Sequence, residues 1–522
     1  MTSVMKSLKN ILLAVVLVAG SSLSLQATRA IGGSDSPLKL IRVSSSQIEK
    51  VAEFLDAKGV DVEGLKRDGL NSESGSVSVV VQNTFDLTQH QALFREPYSV
   101  KIELLDEGVP YRNIVSQRVA ERARIPNSVP STLSVTGEEV VANGVTGLND
   151  EEDYMDLDQT LAKLKEFEKQ NPGIVKLFDL TELTGEKPTA EGRHIYGIQV
   201  SQNPAKIEDE PKVVMVAQHH ARELTTQHAV IDSAEKFIQA TKTDSSVESQ
   251  FIQSGAVWFV PVVNPDGLQF VFNGDRYWRK NRSKNADGSR GVDLNRNYEF
   301  KYGSCGQNST VGGSETYRGE RFFSEPETRT MDKFVAKLHP QFAISYHSYG
   351  DEVLYPYICG TLAESAIYFD IRDKLASHLD YGMRPASSSG EDFEHFYNRY
   401  GTIAFLLEIG SDFQPAVSEY RLSIQPAVLK TLPFMLGLYS RPHFHFVVKD
   451  AQTGLPVIAN VAIEQVSFKE GEKRATDSFG VHRWWLVPGG YKVTVSAPGY
   501  KAQTVSATLS KADQLVEFSL AK

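Results

Sequence analysis

The stretch Val213-Val214-Met215-Val216-Ala217-Gln218-His219-His220-Ala221-Arg222-Glu223 decides how the chain is to be read. Its five leading apolar residues are too few for an ordinary helix and suit a strand buried on both faces. A polar turn follows at once. Within it His220 and Glu223 stand three residues apart, which puts both side chains on one side of a turn or first helical turn. Open α/β sheets place their sites beyond the carboxyl ends of their strands, where this pair falls. An imidazole and a carboxylate together suit a borderline cation such as zinc. Taken alone, the pair reads as a solvated surface couple. His219 has no acid three residues on and is left aside.

The same texture extends outward. Further strands are expected at Ile174–Phe178, Ile195–Val200, Ala256–Val263, Phe342–Tyr346 and Ile403–Ile409. Helical patterns lie between them at Leu157–Gln170, Val230–Ala240, Pro326–Leu338 and Leu362–Leu379. Continuous apolar strands alternating with helices predict an α/β domain, its sheet covered on both faces, over residues 150–438.

Two of these strands end on residues that bear chemistry. His347 follows Phe342–Ile344 and completes a candidate set with His220 and Glu223. Two histidines and one glutamate leave a fourth position for water, the arrangement of catalytic zinc sites. Asp293 is expected to orient His220 through its far nitrogen. Glu408 ends the run Ile403–Leu407. It is read either as half of a buried salt bridge or as a general base. Two basic clusters, Trp278-Arg279-Lys280-Asn281-Arg282 and Asn295-Arg296-Asn297, would by default face solvent. An arginine fork also fits a free carboxylate, and an arginine beside a metal can stabilise a developing oxyanion.

The chain has 522 residues, more than one ordinary domain. Its net charge of -10 and pI of about 5.7 argue against nucleic-acid binding. Residues 1–30 read as a signal peptide: Lys6 and Lys9, the apolar run Ile11–Ala19, then small residues at Ala27 and Ala30. The apolar run is short for a membrane span, and no later segment resembles one. The expectation is a secreted, periplasmic or otherwise extracytoplasmic protein with no integral membrane segment after signal removal. Residues 38–105 alternate as a small α+β unit, with strands at Leu38–Val43, Val77–Val81 and Tyr98–Leu104 and helices at Ser45–Leu55 and Thr84–Phe94. A linker, 106–149, carries Arg118, Arg122 and Arg124. Residues 441–522 show short alternating strands and Gly-rich turns, the pattern of a small β-sandwich of roughly seven strands. Cys305 and Cys359 can pair in an exported protein, but the sequence does not set their separation.

Several stretches, taken jointly, carry a resemblance. They are His220–Glu223, Val263–Gly267, Trp278–Ser283, Gly291–Asn297, Ser314–Gly319, Ser324–Glu327, His347–Tyr349 with Leu354–Tyr357, and Phe405–Ile409. In order and content they resemble the zinc metallocarboxypeptidases of the carboxypeptidase A family, from about Asp150 to Tyr439. The resemblance implies an α/β/α domain built on a mixed eight-stranded sheet. It implies one Zn2+ on His220, Glu223 and His347, with Glu408 as base and then acid to the leaving amine. Arg282 would polarise the scissile carbonyl. Asn295 and Arg296 would bind the terminal carboxylate, Arg222 would contact the residue upstream of the scissile bond, and Tyr349 is a further substrate-binding residue. The implied reaction is hydrolysis of the last peptide bond of peptides or proteins. The 38–105 unit is similar to the family's ferredoxin-like pro-domain, which implies a zymogen and an activating protease as partner. The 441–522 segment resembles the transthyretin-like domain that follows some carboxypeptidases.

One departure stands out. The family's mobile tyrosine would fall near Ala386, in Pro385-Ala386-Ser387-Ser388-Ser389, where none is present. The base of the specificity pocket is expected at Phe393, which predicts neutral or apolar terminal residues. Two alternatives are kept: a same-fold zinc amidohydrolase acting on cell-wall or acidic peptides, and a non-catalytic binding protein.

Overall fold

The computed structural model describes residues 153–243 and 245–522, with 38–45, 48, 51–52, 61–67, 75–82, 101–106 and 110–113 ahead of them. The expected signal peptide 1–30, the helix Thr84–Phe94, most of the helix Ser45–Leu55, and Arg118, Arg122 and Arg124 of the linker lie outside the described residues. Strands β1 (Leu38–Ser45), β2 (Asp61–Arg67), β3 (Gly75–Gln82) and β4 (Lys101–Asp106) form one sheet in the order β2-β3-β1-β4.

The next strands are β5 (Val175–Asp179), β6 (Tyr196–Val200), β7 (Lys212–Ala217), β8 (Ala256–Val260), β9 (Phe342–His347), β10 (Glu352–Tyr355), β11 (Gly382–Pro385) and β12 (Ile403–Glu408). They make one mixed eight-stranded sheet in the order β11-β10-β12-β9-β7-β8-β6-β5, as the resemblance implies. Its centre is parallel, β12 on β9, β9 on β7 and β7 on β8.

The continuous apolar runs follow from burial on both faces. In β7, Val213, Met215 and Ala217 enter one core while Val214 and Val216 enter the other. In β12, Phe405 and Leu407 face the first core and Ala404 and Leu406 the second. The covering helices are α1 (Leu157–Gln170), α2 (Leu224–Ala240), α3 (Pro326–Leu338), α4 (Ser365–Leu379), α5 (Asp392–Tyr400) and α6 (Gln425–Gly437). Helices α1, α2, α4 and α6 feed the first core, α3 and α5 the second. Helix α1 starts where the sequence dictates: Asp156 accepts from the Gln159 backbone and the Gln159 side chain returns the bond, a capping box.

The C-terminal strands β13 (His443–Asp450), β14 (Asn460–Ile463), β15 (Val481–Trp485), β16 (Gly489–Ser496), β17 (Gln503–Leu509) and β18 (Gln514–Leu520) form two three-stranded sheets, β15-β13-β18 and β14-β16-β17. Six strands, not seven, suffice to enclose a core around Phe444, Phe446 and Val493. This sandwich is joined to the α/β body by a buried charge. Arg474, 1% exposed, reaches out of the sandwich to Glu364 at 2.6 Å and donates to the Tyr397 carbonyl at 3.0 Å. The Tyr397 hydroxyl and the Trp484 indole N–H complete the bonds to Glu364. Gly401 ends α5 at φ +75°, and a Cβ there would lie 2.8 Å from Arg474 Cδ. Backbone sign and packing both require glycine at that turn.

Candidate active site

Three parallel strands deliver the site. Beyond β7, Gln218 adopts φ +63° and turns the chain, so that His220 and Glu223 precede α2. His347 is the last residue of β9, and Glu408, the last of β12, is its register partner. Adjacent strand ends thus place Glu408 beside His347.

His220, Glu223 and His347 are all at most 4% exposed, and one ligand atom from each lies within 4.8 Å of the others. His220 Nδ1 is 2.8 Å from Glu223 Oε1, and His347 Nδ1 is 3.2 Å from Glu223 Oε2. The two Nδ1 atoms face each other at 3.0 Å. Two imidazole nitrogens and a carboxylate converging out of water form a donor set for a small cation. Around it, His220 Nε2 meets Asp293 Oδ1 at 3.2 Å. A proton held there leaves the Nδ1 lone pair pointing into the cluster. Asp293 is ionised in spite of its burial because Arg279, donating from Nε and Nη2 at 3.1 Å, and Arg296 hold its carboxyl well below the usual range. The donor set and its orienting acid therefore fit zinc. His219 is structural: its Nε2 meets the Tyr298 hydroxyl at 2.9 Å, and burial pushes it down to about 4. Asp179, Glu182 and His194 form a second acid–imidazole group, but it is partly exposed, and Asp179 caps a short helix.

The cluster opens into a cavity of about 450 Å³. Six of the expected residues line it: His220, Glu223, His347, Glu408, Asn295 and Arg296. Four do not. The Arg282 guanidinium lies on the Phe270 ring at 3.6 Å and near Glu191 at 3.6 Å. Its place on the cavity wall is taken by Arg279, three residues earlier in the same basic run. Arg222 is fully buried beneath Phe413, 4.1 Å from the ring. Tyr349 meets the same Phe413 edge to face, with ring centroids 4.9 Å apart. Phe393 is 1% exposed in the core beneath the sheet. Helix α5 begins at Asp392, and the side chain that faces the cavity is Glu391, just ahead of it. The pocket wall is therefore an acid, not a phenylalanine. Successive residues at a helix start point in widely different directions, so an offset of two residues exchanges core for cavity.

Glu391 is held by Arg296 at 3.0 Å and by the Ser388 backbone, both through Oε1. Burial pushes its carboxyl up to about 7, against the pull of Arg296 and Arg384. Its buried Oε2 has no hydrogen-bond partner among the described residues. Arg279, Arg384 and Glu391 are the charged wall residues to which the sequence reading assigned no place in the site. The Asp293–Arg279 pair was legible only as two charges near in sequence.

A further feature borders the site. Leu40 of β1 is 7% exposed and packs with Tyr277, Tyr349 and Phe413. Cys305 and Cys359 are joined in a disulfide with Cα atoms 6.5 Å apart.

The zinc carboxypeptidase family model, Peptidase_M14, matches residues 160–404. Zinc carboxypeptidase A 1 of Drosophila melanogaster is 34% identical over 210 residues, 39% of this chain and 46% of that one. Carboxypeptidase A2 of Rattus norvegicus is 31% identical over 210 residues, 40% and 46% of the two chains. An inactive metallocarboxypeptidase of Saccharomyces cerevisiae, ECM14, is 26% identical over 342 residues, 63% and 71%. The chain spans a little under half the length of the first curated relatives it matches. Among solved structures, carboxypeptidase A from Helicoverpa armigera superposes with a TM-score of 0.58 at 23% identity, covering 77% of this chain and 97% of that one. Thrombin activatable fibrinolysis inhibitor gives 0.58 at 18%, covering 77% and 98%. At these identities the likeness speaks for the fold. The zinc carboxypeptidase match and the likeness of fold fall on the same α/β body, the one that carries the cavity.

Proposed function

We propose that this chain hydrolyses the C-terminal peptide bond of peptides and proteins, releasing one amino acid at a time. The observation that carries the reading is the opening of the buried His220–Glu223–His347 cluster into the same arginine-walled cavity as Glu408. These three residues would hold one zinc ion, which when bound supplies Lewis-acid activation of water and of the scissile carbonyl. Glu408 takes the proton of the attacking water on its carboxylate and returns it to the leaving amine. Arg279, fixed by Asp293, offers positive charge to the carbonyl oxygen as it becomes an oxyanion, in the role first expected of Arg282. Asn295 and Arg296 face the terminal carboxylate, and the Arg222–Phe413–Tyr349 cluster supports the residues upstream.

The apolar preference rested on Phe393, which lies in the core. The buried, unpartnered Oε2 of Glu391 instead supports a terminal residue that brings a hydrogen-bond donor, lysine or arginine above all. The test is amino-acid release from paired peptides with free or amidated C-termini, ending in Lys, Leu or Glu. Release from free ends only, abolished by chelation, is expected, with Lys favoured over Leu by about tenfold, the worth of one charge-assisted bond. Because Glu391 ionises around pH 7, the Lys-to-Leu ratio should climb between pH 6 and 8, and Glu391→Gln should flatten it. A ratio below one at pH 8 would remove Glu391 from the specificity pocket. Absence of release from every free-ended peptide would favour the amidohydrolase or the non-catalytic reading.

The packing of Leu40 on Tyr277, Tyr349 and Phe413 supports a zymogen in which the N-terminal unit covers the upstream side of the site. An activating protease would cut near Arg118, Arg122 or Arg124. Intact-mass analysis of active enzyme is expected to show that residues 38–124 are gone, and their retention would end the zymogen reading. The disulfide supports an extracytoplasmic location. Among the described residues no helix is long and apolar enough to cross a membrane.

A further inference from the structure

Recognition of a free C-terminus requires positive charge that is not already spent, and the two residues expected to supply the grip are heavily committed. Arg296 donates from Nη1 to Glu391 at 3.0 Å and to the Asn295 carbonyl at 2.8 Å, and from Nε to the Gln307 carbonyl at 2.6 Å, so that among the described residues only its Nη2 is left for a substrate. Asn295 accepts from the Asp392 backbone at 2.9 Å, and its amide nitrogen lies 3.4 Å from His347 Nε2. Arg279 is bound through Nε and Nη2 to Asp293. No tyrosine among the described residues lines the cavity, and Tyr381 packs against the other face of the sheet.

Arg384 is differently placed. It lies on β11 in register with Leu354 of β10, which pairs with Leu406 of β12. Registered residues share a face, so Arg384 stands two strand spacings, roughly 10 Å, from β12 on the face that carries Leu406 and Glu408. It lines the cavity with Glu408 and the metal cluster. Its side chain is 37% exposed. Nε holds Glu352 at 2.6 Å, Nη1 meets Ser387 Oγ at 2.8 Å, and Nη2 has no hydrogen bond among the described residues. Glu352 is itself 33% exposed, and a partly solvated pair of this kind is weak enough to be exchanged for a better anion.

We propose that Arg384 is the second guanidinium that grips the substrate's terminal carboxylate, acting with Arg296 at the place where a closing tyrosine is missing. This rests on the carboxypeptidase reading above. A planar fork on the rim, tethered by one exchangeable carboxylate, meets a carboxylate bidentately and leaves Glu391 to read the side chain.

The test uses the active, zinc-loaded enzyme and a free-ended peptide. Arg384→Met is expected to raise KM by about 10- to 100-fold, the worth of a bond to a charged group, with kcat held within about threefold. Arg384→Lys, which keeps the charge and the aliphatic stem but not the fork, should recover part of the loss and guards against a folding defect in the methionine variant. Binding is measured separately in Glu408→Gln, by calorimetry with free and amidated forms of one peptide. The preference for the free form should largely disappear when Arg384→Met is added. An unchanged preference overturns the proposal, as does an enzyme that shows none to begin with. A fall in kcat at constant KM would assign Arg384 to Glu408 instead. A loss confined to peptides ending in Asp or Glu would make it a side-chain reader. Free-end preference without any amino-acid release would sink the hydrolase reading while leaving the role of Arg384 standing.

Discussion

Glu408→Gln is expected to lower kcat by roughly 10²–10⁴-fold, the usual contribution of a positioned general base. Glutamine keeps the size and shape of the side chain but cannot take up a proton. The residue closes β12, and its register partner is His347, so the substitution leaves both the strand and the metal cluster in place. KM should therefore change little, and the zinc content not at all. Steady-state kinetics together with metal analysis of the purified variant separate the possibilities. A kcat within tenfold of the parent would return Glu408 to its other reading, a structural anion beside the rim charges Arg384 and Glu352.

The second large effect concerns the cluster itself. Glu223→Ala removes the one carboxylate between two imidazoles whose Nδ1 atoms are 3.0 Å apart. Zinc affinity should fall by far more than the roughly 10- to 100-fold that loss of a supporting hydrogen bond costs, and activity should fall with it. Asp293→Asn supplies the comparison. It weakens the bond to His220 Nε2 while keeping every ligand, so its loss should lie within that smaller range. Competition against a chelator of known affinity reads both. Equal losses for the two variants would mean that Glu223 orients the histidines without binding the ion.

Much of this was legible in the chain. Apolar runs such as Val213–Ala217 and Ile403–Leu407 name their strands because both faces are buried, and ligands at the strand ends follow from the same pattern. The short strands at the β11 end of the sheet were harder to see. β10 and β11 have four residues each, and in β11 (Gly-Met-Arg-Pro) no apolar run announces a strand. That is also why Arg384 escaped notice, since a charged residue in an unrecognised edge strand has no assigned face. Arg279 and Arg282 stand in one basic run, and only the fold decides which meets Asp293 and which stacks on Phe270. Phe393 and Glu391 were exchanged for a similar reason, because the start of α5 sets which of them turns inward. A sequence marks that an acid and an aromatic are close, but a helix start fixes their directions.

The charge pair that crosses from the sandwich to the α/β body bears on how the molecule can be divided. Arg474 and Glu364 are both buried, and separating such a pair typically costs roughly 3–5 kcal/mol, because each is left as a lone charge out of water. A chain ended at Ser440 would keep every residue of the active site and lose Arg474. Glu364 would then be without its counter-ion, and the Tyr397 carbonyl, near the end of α5, without its donor. The opposite end of α5 follows directly on Glu391. The boundary between the two sheets is therefore a poor place to cut, and the C-terminal sandwich acts as a buttress behind the helix that sets the specificity wall.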